Sequence, residues 1–260
     1  VTAVPVRRED LARLLRQRRE LGVEDWLLEG FTGEEALAAA AGARSALGAS
    51  ATSPGTAAPH SGDAATPNLP VLDLPNDLEE LRELARGCTR CGLAKERTQV
   101  VFSDGSPTAQ VAVVGEAPGA NEDRTGLPFV GAAGKLLDLL LATVGLSREE
   151  SVYICNVIKC RPPGNRNPLP DEIACCAPYL RKQLELVRPR AILGVGNFAA
   201  QLLVGRSEPL GKLRGRVYAY DGTPLVVTYH PAALLRSPAW TRPTWEDLQL
   251  LRRILDESVS

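Results

Sequence analysis

Val111-Ala112-Val113-Val114-Gly115-Glu116-Ala117-Pro118-Gly119 passes from an unbroken apolar run into a Gly- and Pro-rich turn that carries a carboxylate. A short apolar run bounded by turn residues reads as a strand buried on both faces, and such strands belong to parallel sheets covered by helices. Three further runs repeat the pattern, Val152 to Val157, Ala191 to Val195 and Leu225 to Thr228. Helical periodicity falls between and after them, at about 132–144, 171–187, 197–203 and 244–255. The alternation predicts a three-layer α/β/α fold around a central, mainly parallel sheet of four strands. Ligands of such sheets bind beyond the carboxyl ends of the strands. The unusual polar sequences sit at those ends, at 115–119, at Asn156 to Asn167 and at Tyr229-His230-Pro231, so three strand ends are expected to converge on one pocket.

Outward from this core, the chain divides by composition. Residues 76–260 are read as one α/β domain, 42–75 as a linker rich in Ala, Ser, Thr, Pro and Gly, and 1–41 as a helical extension. In that extension Leu11, Leu14, Leu15, Leu21, Trp26 and Leu27 give an approximate apolar stripe over 8–28, and the N-terminal part is otherwise expected to be mostly unstructured. No apolar run reaches the ~20 residues of a membrane-spanning helix, and Val1 to Glu20 lacks the apolar stretch of a secretory signal, so a cytoplasmic monomer is expected. The net charge of −1 excludes nucleic-acid binding by bulk positive charge. Residues 1–75 hold 7 Lys+Arg against 10 Asp+Glu and the remainder 23 against 21, so any anionic partner must meet local patches on the second part.

Two nucleotide-site patterns fail on inspection. Gly134-Lys135-Leu136 lacks the Ser or Thr of a phosphate loop, and Phe129 stands where that loop needs Gly. Gly194-Val195-Gly196-Asn197-Phe198-Ala199 follows a strand and opens a helix, but the acidic residue expected ~20 positions on is missing, since Asp221 sits in an Asp-Gly turn. Close strand-to-helix packing accounts for those glycines. The 6 cysteines, in a chain without secretory features, point to metal or redox chemistry rather than disulfides. Cys88 and Cys91 form a C-x-x-C loop at the end of a helix, and Cys160 and Cys176 follow far along the chain. Four thiolates of this kind suit zinc and an iron–sulfur cluster equally, Cys175 competes with Cys176, and Cys155 reads as strand packing.

Three longer stretches carry a resemblance. They are Gly115 to Leu137, with its Gly-Glu-Ala-Pro-Gly and Pro-Phe-Val-Gly segments; Asn156-Val-Ile-Lys-Cys160-Arg-Pro-Pro-Gly-Asn165-Arg; and Thr228-Tyr-His230-Pro-Ala-Ala-Leu-Leu-Arg236. In this order they resemble the family 4 uracil-DNA glycosylases over about residues 78–255. The resemblance implies a DNA-repair hydrolase that cuts the N-glycosidic bond of uracil in DNA, leaves an abasic site and performs no lyase step. It also implies a [4Fe-4S] cluster on Cys88, Cys91, Cys160 and Cys176, and DNA containing uracil as the partner. A sister family with a wider base range carries an apolar residue at the position of Glu116. Another sister group uses a His on a basic insertion, and Ser207 to Arg216 holds no His. A cluster-bearing, non-catalytic DNA-binding module is the rival of another class.

The residues support specific expectations within that frame. Uracil offers acceptor, donor and acceptor along O2, N3–H and O4, so one side-chain amide can accept from N3 and donate to O4. Asn156 matches the family's uracil-reading Asn, and Phe129 is expected to stack on the extruded base. His230 is expected to donate to O2 as negative charge gathers on the leaving base. Ala117 stands where the wider superfamily often places a catalytic Asp, so Glu116, Glu122 and Asn165 are the candidates for positioning water. Lys159, Arg161, Arg166 and Arg236 are expected to meet phosphates, and Leu234 or Leu235 to wedge into the base stack.

Overall fold

The computed structural model describes residues 73–257. The helix read at 8–28 and the linker up to residue 72 lie outside the described residues. Six strands form one sheet: β1 Asp104–Gly105, β2 Val111–Gly115, β3 Val152–Asn156, β4 Ala191–Val195, β5 Val217–Tyr220 and β6 Thr223–Thr228. Their order is β1-β3-β2-β4-β6-β5. The four expected strands form the parallel core, β3-β2-β4-β6. The expected count of four is corrected to six, because an antiparallel strand closes each edge. β1 is two residues long and offers no periodicity to read. β5 alternates exposed and half-buried positions, so it carries no continuous apolar run. It joins β6 through Asp221-Gly222, whose φ values of 45° and 81° make the two-residue turn with left-handed backbone at both positions that favours Asp-Gly.

The helices are α1 Leu78–Arg86, α2 Ala120–Thr125, α3 Ala132–Ala142, α4 Pro170–Val187, α5 Asn197–Val204, α6 Leu210–Leu213, α7 Pro231–Arg236 and α8 Thr241–Glu257. None of the described helices is long and apolar enough to cross a membrane. Asp77 starts α1, its carboxylate accepting the Glu79 and Glu80 amides at 2.8 and 3.0 Å. α4 begins with Pro at its first position, and the Glu172 carboxylate accepts the Leu169 amide at 2.8 Å.

Alternation along each strand builds the layers. Ala112, Val114, Cys155, Ile192 and Val227 face α4 and α5, meeting Leu180, Leu184, Ala200 and Leu203. Val111, Val113, Ile154, Leu193 and Val226 face α3, α7 and α8, meeting Leu137, Leu141, Leu234, Leu248 and Leu251. Each fully buried aliphatic side chain contributes about 1.5–3 kcal/mol from burial, which is why these strands tolerate no polar face. The chain leaves β2 for β3 on one side and returns to β4 on the other, so the loops after β2 and β4 diverge and open a crevice at the carboxyl end of the sheet.

Candidate active site

A cavity of about 710 Å³ occupies that crevice, and Glu116, Ala117, Phe129, Asn156, Asn165 and His230 all line it. Four strand ends build it. Glu116 follows β2, Asn156 ends β3, Gly196 follows β4 and His230 follows β6. Asn156 is 2% exposed, and its Oδ1 is buried without a hydrogen-bond partner. An orphaned buried acceptor costs about 1–3 kcal/mol, so this amide is held ready for a donor that the folded chain does not supply. Gly115 makes room for it: a Cβ there would stand 2.4 Å from Asn156 Oδ1 and 2.7 Å from the Phe129 ring.

Phe129 enters the cavity on a backbone that a bulky residue rarely adopts, φ 54°. Its loop is fastened on both sides. Glu122 Oε1 accepts the Val130 and Gly131 amides, each at 3.0 Å. Arg148 donates to the Pro128 and Phe129 carbonyls at 3.0 and 2.9 Å, and its charge is balanced by Asp104 and Asp138 at 2.8 and 3.0 Å. α3 then passes so close to the Phe129 carbonyl that only Gly fits at position 134. Arg148→Met is expected to cost about 1–3 kcal/mol by stranding these carbonyls and carboxylates, measured as a lower urea midpoint at unchanged slope.

The His230 ring lies 5.5 Å from that of Phe129, at an interplanar angle of 26°. Its Nδ1 accepts the Ala232 amide at 3.1 Å and so caps α7. The proton of the neutral ring is thereby assigned to Nε2, which is left to donate. Burial first, then the Arg236 guanidinium, push this imidazole down to about 4, against an opposing pull from Glu122. Burial also holds the Glu116 carboxyl above the ordinary carboxylate range. Asn165, at φ 55°, lines the cavity mouth and accepts from Arg161 Nε at 2.8 Å.

The remaining expected contacts divide. Arg166 lines the cavity and pairs with Glu172 at 2.6 Å, and Arg236 is exposed on the rim. Lys159 is not at the rim: it is 2% exposed, and its Nζ donates to the Asn156 carbonyl at 2.6 Å. A phosphate cannot reach it, and its part is to brace the strand end that carries Asn156. Leu234 is fully buried under the sheet, whereas Leu235, one helical step of about 100° further round, is 46% exposed. Of the two, only Leu235 is open to a ligand at the surface. Arg148 was not singled out from sequence, because nothing local marks a guanidinium that acts on a loop 19 residues away.

A second, small cavity is lined by Cys88, Cys91, Cys160, Cys175 and Cys176 together with Lys159 and Arg97. Arg97 donates to Cys160 Sγ at 3.4 Å, and the Lys159 amide donates to Cys176 Sγ at 3.3 Å. Cys175 behaves differently, its own Sγ donating to the Arg90 carbonyl at 3.2 Å. Burial pushes the Cys176 thiol up to about 12. Among the described residues no three His, Cys, Asp or Glu side chains are placed to hold a single metal ion.

Comparison with known proteins fits this arrangement. A sequence model of the uracil DNA glycosylase superfamily matches residues 102–249. The type-4 uracil-DNA glycosylase of Pyrobaculum aerophilum is 43% identical over 195 residues, 70% of this chain and 99% of that protein. That of Archaeoglobus fulgidus is 44% identical over 172 residues, 62% of this chain and 86% of that protein. A type-5 uracil-DNA glycosylase of Pyrobaculum aerophilum is 36% identical over 146 residues, 50% of this chain and 64% of that protein. With the crevice formed by four strand ends and the match running through all of them, this chain belongs to the uracil-DNA glycosylase superfamily, within its type-4 enzymes.

Proposed function

We propose that the protein hydrolyses the N-glycosidic bond of uracil in DNA and releases the base, leaving an abasic site with the strand intact. The observation that carries this reading is the orphaned Asn156 Oδ1, buried in a cavity that an aromatic ring, Phe129, and a neutral imidazole, His230, also line. Oδ1 accepts the N3 proton of an extruded uracil while the amide nitrogen donates to O4. Phe129 covers one face of the base. His230 Nε2–H donates to O2, where the leaving base collects negative charge, and a neutral donor fixed in advance stabilises that charge without reorganising. Glu116 and Asn165, on the same cavity, are the groups for holding the attacking water. Glu122 serves chiefly to hold the Phe129 loop, since one of its oxygens already accepts two amides. Arg161, Arg166 and Arg236 are the phosphate contacts, and Leu235 fills the space the base leaves.

Incubation with uracil-containing oligonucleotides followed by alkaline cleavage tests the reading. Uracil-dependent strand breaks are expected. Binding without any break would favour a DNA-binding module instead.

We further infer that the cysteine cavity holds a [4Fe-4S] cluster on Cys88, Cys91, Cys160 and Cys176. Cys88, Cys91, Cys160 and Cys176 all line this one small cavity, and four cysteine thiolates are the ligand set of such a cluster. Amide and guanidinium donors to Cys176 and Cys160 suit cluster-bound thiolates. When bound, the cluster would supply a covalent junction between the C-x-x-C loop, the segment after β3 and α4. Cys175, engaged as a donor to Arg90, stands outside the set. Anaerobically purified protein is therefore expected to be brown with about four irons per chain. Cys176→Ala should lose iron and Cys175→Ala should keep it, with iron analysis and broad absorbance as the measurements. Stoichiometric zinc in a colourless protein would sink the assignment.

A further inference from the structure

The 710 Å³ cavity is several times larger than one pyrimidine ring requires, and its unused end is aromatic. Beyond His230 it runs to Tyr229 and Trp240, whose rings stack at 4.8 Å with an interplanar angle of 9°. This pair is fixed in place from behind. The Arg214 guanidinium stands 5.6 Å from the Tyr229 ring centre, and Asp247, buried on α8, grips Arg214 at 2.9 and 3.1 Å. The same carboxylate accepts the Thr228 hydroxyl at 2.7 Å, which ties down the residue just before Tyr229. Trp240 is thus held against Tyr229 while the residue as a whole stays 40% exposed, on the segment that follows Leu235 and Arg236.

We propose that Trp240 is a stacking platform for the nucleobase next to the extruded uracil on the same DNA strand. This rests on the glycosylase reading, because a strand that delivers its base to Asn156 must cross the mouth of the same cavity. An exposed aromatic face accepts any base, since every base has a π-face, and a ring already held in place loses little freedom on binding. Arg236 supplies the cation that the adjoining phosphate needs. The contact adds affinity for single-stranded substrate without adding sequence preference.

The test is a fluorescence titration of the full chain with a uracil-free single-stranded oligothymidine. Trp245, 42% exposed on α8 and outside the cavity lining, is a matched control. Trp240→Phe should bind within about threefold of the parent yet lose most of the tryptophan quench, while Trp245→Phe keeps the quench. Trp240→Leu, which covers Tyr229 but offers no aromatic face, should bind about tenfold more weakly, and Trp245→Leu should bind as the parent does. A full quench in Trp240→Phe, or equal affinity in the two Leu variants, would overturn the proposal. Because the probe contains no uracil, these outcomes are independent of the alkaline-cleavage assay, whose failure would instead remove the glycosylase reading.

Discussion

Asn156→Asp is expected to lower single-turnover uracil excision at least about a hundredfold. The substitution preserves shape, but it replaces the amide donor to uracil O4 with an acceptor and sets a carboxylate against that oxygen. Losing a buried donor and gaining an acceptor clash costs on the order of 3 kcal/mol or more, which is the hundredfold. Relief by a water molecule is limited, because Asn156 is 2% exposed. Cytosine presents an acceptor at N3 and an amino group at C4, so an Asp side chain that takes up a proton can donate to the one and accept from the other, and slow cytosine excision is the expected gain. Asn156→Ala should lose uracil excision and gain nothing. Matched uracil and cytosine oligonucleotides separate the outcomes. Parent-like uracil rates in Asn156→Asp would move base reading to another residue, with Asn165 the first to examine.

His230→Ala is expected to cost about 10²–10³ in the same rate, the usual loss when one fixed donor to a developing anion is removed. The pH dependence distinguishes a neutral donor from an imidazolium. With the folded imidazole held down to about 4 and the unfolded one near its ordinary ~6.5, the ring stays neutral across pH 5–8, and the parent rate should show no inflection belonging to His230 there. The same shift has a sign for stability. As pH falls below about 6.5 the unfolded chain takes up the proton first, so the folded state loses stability between about 6.5 and about 4 and no further below that. Protonation would also break the Nδ1 bond that caps α7. His230→Gln should flatten this part of the stability profile, as chemical unfolding at several pH values would reveal. A rate inflection near pH 6.5 that vanishes in His230→Gln would refute the neutral-donor assignment.

The parallel core was legible because both of its faces are covered, which turns Val111–Gly115 and Ala191–Val195 into unbroken apolar runs. The edges were not, since β5 is half exposed and β1 too short for any pattern. The cavity residues Asn156, Phe129 and His230 were legible because each lies in a long motif, Asn156 and His230 at strand ends and Phe129 in the loop that leads into α3. Side-chain direction was the missing information. A lysine just past a strand end can face solvent or core, and Lys159 turns inward to the Asn156 carbonyl. Neighbouring leucines on α7 differ only in helical phase, which puts Leu234 in the core and Leu235 outside. Glu122 lies on the cavity as expected, but its engagement with Val130 and Gly131 depends on a loop closure that no local pattern announces.

The stretch from Asn156 to Cys160 joins the two cavities within five residues, and it stays in step with the neighbouring strand because the Val157 and Ile158 amides donate to the Gly115 and Glu116 carbonyls at 2.9 and 3.2 Å. Its length therefore acts as a ruler. Asn156 at one end points to the larger cavity and Cys160 at the other to the smaller, with Lys159 between them tied back to Asn156. Adding or removing one residue here would change the distance between Asn156 and Cys160, and with it the spacing of the two cavities, since the Val157 and Ile158 amides hold the start of the stretch to the neighbouring strand end.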